Sequence, residues 1–246
     1  NLAYLSRGDS FLLCLIFMKT LGVIGGMGPQ ASIRFLELVI RSCTDDFGIR
    51  ENEEFPRIVL SSLPAPDIIE NRDREEQAGD MLAREAKTLE QAGADFLVMT
   101  CNTMHILSDR FTSATSIPFL SIIETVTQQA QCDGRACVGL LGSETTMSSD
   151  LYKEPLREAG IDVLVPFSPE RKTVVDCILS VIAGSASTEE VQVLQRMINT
   201  LKARGAEAVI LGCTELPLLI NQAITDVPVL DSLQILATAS CKEIFT

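Results

Sequence analysis

The chain has 246 residues, 46 % of them hydrophobic and 22 % charged, with a net charge of −13. That length is enough for one large or two small α/β units with real cores. No basic run interrupts the acidic excess, so sequence-independent binding to nucleic acid is excluded as a main role, because it needs clustered Lys and Arg. Eight cysteines at irregular spacing are not a secreted disulfide framework. The closest pair, Cys132 and Cys137, has no second pair to complete a zinc site. A reducing, cytoplasmic setting is expected. Cys14, Cys43, Cys132, Cys137, Cys177 and Cys241 read as small buried or half-buried hydrophobes.

Phe11 to Phe17 is an apolar run of seven, too short to span a bilayer, which needs about 20 residues. No small-residue cleavage site follows it. Residues 1–17 are therefore expected to be an extension, with Met18 at or near the natural start. No membrane association is expected.

From there strand and helix signals alternate. Leu21–Ile24 is a short apolar strand ending in glycines, and Ala31–Cys43 has helical spacing with Ile33, Leu36, Val39 and Ile40 on one face. Arg57–Leu60 is a strand, Gln77–Gln91 a helix, and Phe96–Met99 and Ile117–Leu120 two more strands. The pattern then restarts at Ala136–Gly142. A helix is expected over Met147–Ala159, a strand at Asp162–Val165, helices at Thr173–Ala183 and Glu189–Arg204, and strands at Ala208–Leu211 and Val227–Leu230. These strands are apolar throughout, as in parallel sheets covered on both faces.

Four landmarks recur in the same order. Gly22 and Gly139 are 117 apart, Gly93 and Gly205 are 112, Cys101 and Cys213 are 112, and Pro118 and Pro228 are 110. An internal duplication follows. The fold expected is two pseudo-symmetric α/β domains, each a parallel sheet flanked by helices, with the site in the cleft at the strand ends. Residues 18–115 with 228–246 would form the first, and 116–227 the second.

The two cysteines of the repeat stand where a strand ends and a polar loop begins, in Thr100-Cys101-Asn102-Thr103 and Gly212-Cys213-Thr214-Glu215. Two thiols facing one site can work on opposite faces of a carbon. One removes a proton and the other returns one. The thiolate is the useful form, and a helix N-terminus after each strand would lower the thiol pKa. His105, the single histidine, could orient or charge-balance the Cys101 region, or merely pack. Glu215 could orient Cys213 or cap the following helix. Gly26-Met27-Gly28-Pro29-Gln30-Ala31 matches the dinucleotide fingerprint in form, but no acidic residue ends the next strand, so its amides are expected to hold a small carboxylate. No cofactor and no metal are expected.

Three motifs together, Gly25-Gly26-Met27-Gly28-Pro29, Cys101-Asn102-Thr103-Met104-His105 and Gly212-Cys213-Thr214-Glu215, resemble the aspartate/glutamate racemase family of cofactor-independent racemases. The resemblance covers residues 18–246. It implies the two-domain fold, commonly a homodimer, and two-base racemisation of aspartate or glutamate. By position, Cys101 and Cys213 are the acid/base thiols. Asn102, Thr103 and Thr214 resemble residues that hold the α-carboxylate and α-amino groups, Met27 lines the site, and Ser143 and Thr146 resemble carboxylate-binding hydroxyls. Two departures concern the substrate. Ile68, not arginine, follows Pro66-Asp67, leaving Arg72 as a candidate for the distal carboxylate. Where some relatives have a lysine in a helix of the second domain, the nearest positions are Val181 and Ile182. A hydantoin racemase, maleate isomerase or decarboxylase on this scaffold, and a silent ligand-binding homologue, are the competing readings.

Overall fold

The computed structural model describes residues 18–70 and 72–246; the apolar run 11–17 and Cys14 lie outside them. Seven parallel strands among the described residues form two sheets. The first comprises β1 (Leu21–Gly25), β2 (Ile58–Ser62) and β3 (Phe96–Met99) in the order β2-β1-β3. The second comprises β4 (Cys137–Gly142), β5 (Asp162–Leu164), β6 (Ala208–Gly212) and β7 (Val229–Asp231) in the order β5-β4-β6-β7. A single parallel bridge between Leu97 and Phe119 occupies in the first sheet the place of β7 in the second.

The registers carry the repeat. Gly22 pairs with Leu97 beside β1, and Gly139 with Val209 beside β4. The duplicated spacing of the sequence is thus a duplicated hydrogen-bond register.

Nine helices are described: α1 (Pro29–Asp46), α2 (Glu75–Gln91), α3 (Ser108–Thr112), α4 (Ile122–Cys132), α5 (Glu144–Ser148), α6 (Lys153–Glu158), α7 (Ser168–Ile182), α8 (Thr188–Ala203) and α9 (Ser232–Ile244). Alternate residues of each strand feed opposite faces. Val23, Val98, Leu140 and Ile210 share one core with α1, α4 and α9, which lie between the sheets. Ile24, Leu97 and Met99 face an outer core with α2, and Leu141, Val209 and Leu211 one with α7 and α8. Strand β7 belongs to the second sheet, while α9 directly after it packs on α1 and α4. Leu233, Leu236 and Ile244 of α9 are wholly buried, each worth about 1.5–3 kcal/mol.

Four expectations change. On α1 the inward face is Ala31, Phe35, Leu38, Val39 and Cys43, while Ile33 and Ile40 are 70 % and 47 % exposed. The helix has two apolar stripes, and the one with Phe35 packs into the core that includes α9. The helix expected over 147–159 is broken into α5 and α6, with Ser149 extended between them. Pro155 cannot donate to a preceding carbonyl and would clash with it in a continuous helix. The strand expected at 117–120 reduces to one bridge, Leu97 with Phe119, held by Leu97 N–H on the Pro118 carbonyl and Leu120 N–H on the Leu97 carbonyl. Cys132, at the end of α4, is exposed rather than packed. No helix of the described residues is long and apolar enough to cross a membrane.

Candidate active site

The carboxyl ends of β1, β2, β3 and β6 converge on a cavity of about 250 Å³. After β1 come Gly26, Met27, Gly28 and Pro29; after β2, Ala65, Asp67, Ile68 and Ile69. The loop after β3 supplies Cys101, Asn102, Thr103 and Met104, and the loop after β6 supplies Cys213, Thr214 and Glu215. Leu179 and Ile182, in the last turn of α7, close one side.

The glycine loop needs its glycines. Gly26 has φ +91°, and a Cβ there would lie 2.5 Å from the Leu63 backbone nitrogen. A Cβ on Gly28 would lie 3.1 Å from Glu215 Oε1, so this loop reaches the second half of the molecule. Gly26 N–H donates to Ser32 Oγ at 2.9 Å. The β2 loop is tied across as well: Thr145 Oγ1 donates to the Ile68 carbonyl at 2.6 Å, and Thr145 N–H to that of Ile69 at 3.2 Å.

Both thiols are held protonated in this cavity. Burial pushes Cys101 up to about 12, and the charges of Glu215 and Asp67 add to it; the N–H groups of Met104 and Thr103 oppose it. Burial likewise raises Cys213, helped by the charge and hydrogen bond of Glu215 and by Cys101, against the N–H of Glu215. The expected amide dipoles are therefore present after each strand, but the expected acidification is overturned, because desolvation of the thiolate outweighs them.

Glu215 is 4 % exposed. Its Oε2 accepts from Cys213 Sγ at 3.0 Å and from Thr214 Oγ1 at 3.1 Å. Its side chain caps no backbone group of the turn Leu216–Leu218 that follows. Orienting Cys213, not capping, is its role in this geometry. Oε1 is buried without a hydrogen-bond partner.

His105 does not line the cavity. Its Nδ1 lies 2.7 Å from the Cys101 carbonyl, and its Nε2 accepts from Ile122 N–H at 3.2 Å. That pair of contacts fixes the tautomer with the proton on Nδ1. Burial lowers its pKa to about 4. A neutral histidine balances no thiolate charge; it anchors the Cys101 loop to the start of α4.

Asn102 spends its side chain on the interface between the halves. Its Nδ2 donates to Ser232 Oγ at 3.0 Å, its Oδ1 accepts from Tyr152 OH, and Ser232 Oγ donates to the Leu211 carbonyl at 2.8 Å. Cys101's neighbour is thereby bonded to the end of β6, two residues before Cys213. Thr103, Ser143 and Thr146 form a buried triangle of hydroxyls, with Oγ separations of 2.9, 3.2 and 2.9 Å. Ser143 also caps α5 through Thr146 N–H. Ser143 and Thr146 have no exposure and do not line the cavity, so they brace Thr103. Arg72 is not in the lining either: it is exposed and forms a fork with Glu75. The site thus unites Met27, Cys101, Asn102, Thr103, Cys213, Thr214 and Glu215. Sequence reasoning missed Asp67, Leu179 and Ile182; only the Pro-Asp after β2 and the α7 position had drawn attention, and as departures.

The arrangement has relatives. A sequence model described as Asp/Glu/hydantoin racemase matches residues 24–240. The broad specificity amino-acid racemase RacX of Bacillus subtilis is 24 % identical over 220 residues, covering 89 % of this chain and 96 % of that one. The aspartate racemase structure from Picrophilus torridus superimposes with a TM-score of 0.80 at 31 % identity, covering 92 % of this chain and 94 % of that one. The structure of an aspartate racemase homologue from Pyrococcus horikoshii gives 0.77 at 31 % identity, covering 93 % and 99 %. With two strand-end thiols of a duplicated α/β unit on one cavity, and with that match over most of its length, the chain belongs to the Asp/Glu/hydantoin racemase family.

Proposed function

We propose that this amino-acid racemase inverts the α-carbon of a free amino acid by two-base proton transfer between Cys101 and Cys213, without a cofactor. The observation that carries the proposal is that the matched thiols of the two halves line the same cavity. One sulfur, as thiolate, takes the α-proton. The carbanion so formed spreads its charge onto the α-carboxylate, which the loop amides and the Thr103 hydroxyl stabilise. The opposite thiol delivers its proton to the other face. The enantiomer leaves with the two sulfurs in exchanged protonation states.

The raised thiols explain what the substrate must bring. Burial and the two acidic side chains of the cavity disfavour a thiolate. The α-ammonium supplies the positive charge that favours it. Glu215 Oε2 already receives the Cys213 thiol hydrogen and holds that sulfur in one orientation. Aspartate and glutamate, named for several relatives, are the reference substrates.

The test is chiral product analysis of L-amino acids incubated with the full chain, reductant present and no cofactor added. Formation of the D-enantiomer from at least one of them, to an equal mixture, is expected. No inversion of any proteinogenic amino acid would overturn the proposal and favour a decarboxylase, an isomerase or a binding protein on this scaffold.

A further inference from the structure

A carboxylate at the far end of a substrate side chain needs a cation or several aimed N–H groups, because an unpaired buried carboxylate is costly. Among the described residues, no Lys or Arg lines the cavity. Arg72 is engaged with Glu75 outside it, and Arg171 of α7 pairs with Glu144 at 3.2 Å. The charged side chains in the lining are Asp67 and Glu215, both acidic.

Both sit at the reacting end. Glu215 accepts from Cys213, and its buried Oε1 has no hydrogen-bond partner. Asp67, at the exposed rim, is close enough to Cys101 for its charge to act on that thiol. Two carboxylates at the thiols suit an α-ammonium. They repel a second carboxylate on the substrate.

Most of the other large side chains in the lining are apolar. Leu179 and Ile182 lie three residues apart on α7, on one face of the helix, and are 37 % and 40 % exposed. Ile68, Ile69, Met27 and Met104 line the same cavity. Large aliphatic side chains left half-open at a cavity gain by covering one another with an apolar ligand.

We infer that the enzyme racemises amino acids with uncharged aliphatic side chains of leucine or methionine size, and that Leu179 and Ile182 of α7 are the residues that select them. This inference rests on the two-thiol reading of the site. Arrangement of the ligand follows: ammonium toward Glu215 and Asp67, carboxylate toward the Thr103 and Thr214 loops, side chain against α7.

The experiment compares loss of the α-proton and gain of the D-enantiomer for L-leucine, L-methionine, L-aspartate, L-glutamate and L-lysine with the wild-type full chain. Leucine and methionine should exceed the three charged substrates at least tenfold in kcat/KM. Ile182→Lys places a cation on a half-open helix position, so it should fold. It should shift the aspartate-to-leucine ratio at least tenfold toward aspartate. Faster turnover of aspartate, glutamate or lysine than of leucine and methionine overturns the inference and leaves the two-thiol mechanism standing. Aspartate turnover that falls in Arg72→Ala overturns it too, by bringing that arginine to the substrate. If no amino acid loses its α-proton, the two-thiol mechanism fails and the inference with it.

Discussion

His105 gives this protein an unusually clean acid titration of stability. It is the single histidine in the chain, 3 % exposed, with both ring nitrogens engaged in the neutral form. Protonation would put a second hydrogen on Nε2, against the Ile122 N–H, and a charge in an unsolvated place. Burial therefore lowers its pKa from 6.5 to about 4, only partly opposed by the Cys101 carbonyl. The unfolded chain binds the proton more readily than the folded one, so this contribution is complete above about pH 7 and is lost as pH falls through 6.5 toward 4. The whole difference is worth about 3 kcal/mol, and about 2 kcal/mol of it is gone by pH 5. Ordinary carboxylates titrate near pH 4 and thiols above 8, so the window from pH 7 to 5 belongs to this residue. Urea unfolding at pH 7, 6 and 5 should show that loss, with a fall in Tm of roughly 4–8 °C for a chain of this size. His105→Asn offers an amide in place of Nδ1–H and does not titrate; it should be less stable at pH 7 but nearly flat over the same window. A flat wild-type profile, or the same slope in His105→Asn, would refute the reasoning.

Four further outcomes follow from the site. Cys101→Ala and Cys213→Ala should each lower racemisation by at least about 10³-fold, within the range of lost acid–base catalysis, as read by chiral chromatography; wild-type rates in either would remove that sulfur from the mechanism. Because both thiols are raised by burial, and a base works only when deprotonated, kcat/KM should climb on the alkaline side of neutrality. Glu215→Gln removes a charge that raises Cys213, so its alkaline limb should move to lower pH; an unmoved limb would clear Glu215 of that effect. Tyr152→Phe leaves Asn102 Oδ1 buried without its donor, at a cost of about 1–3 kcal/mol in urea unfolding. In an Asn102→Ala background the same substitution should cost far less, since the group it orphans is already gone.

The repeat was the most legible feature of the chain. Nearly constant offsets between glycines, cysteines and prolines go with matched registers in the two sheets. Element ends were harder. Ser121, three residues before Glu124, carries an N-terminal helix signal, and its hydroxyl does accept from Ile123 and Glu124 N–H. Asp231 signals α9 in the same way. Pro155 should have argued against one helix over 147–159. The α1 face was ambiguous because Ile33 and Ile40 are as apolar as the residues that pack.

The site divides along similar lines. Strand-end residues such as Cys101 and Cys213 could be placed from local pattern, since a parallel sheet presents its carboxyl ends together. Asp67, Leu179 and Ile182 reach the cavity from a long loop and from the far end of a helix, and that depends on packing no local pattern specifies. Ser143 and Thr146 have the right chemistry for a carboxylate but are used inward, on Thr103. The acidity of the thiols turned on burial, which outweighs the N–H groups the sequence did place.

The decisive measurement is where solvent deuterium appears early in the reaction. Starting from pure L-substrate in heavy water, two opposed thiols predict deuterium at the α-carbon of the D-product while the remaining L-substrate keeps its proton. Equal early labelling of recovered substrate and product would mean that one base serves both faces, and would contradict a division of labour between Cys101 and Cys213.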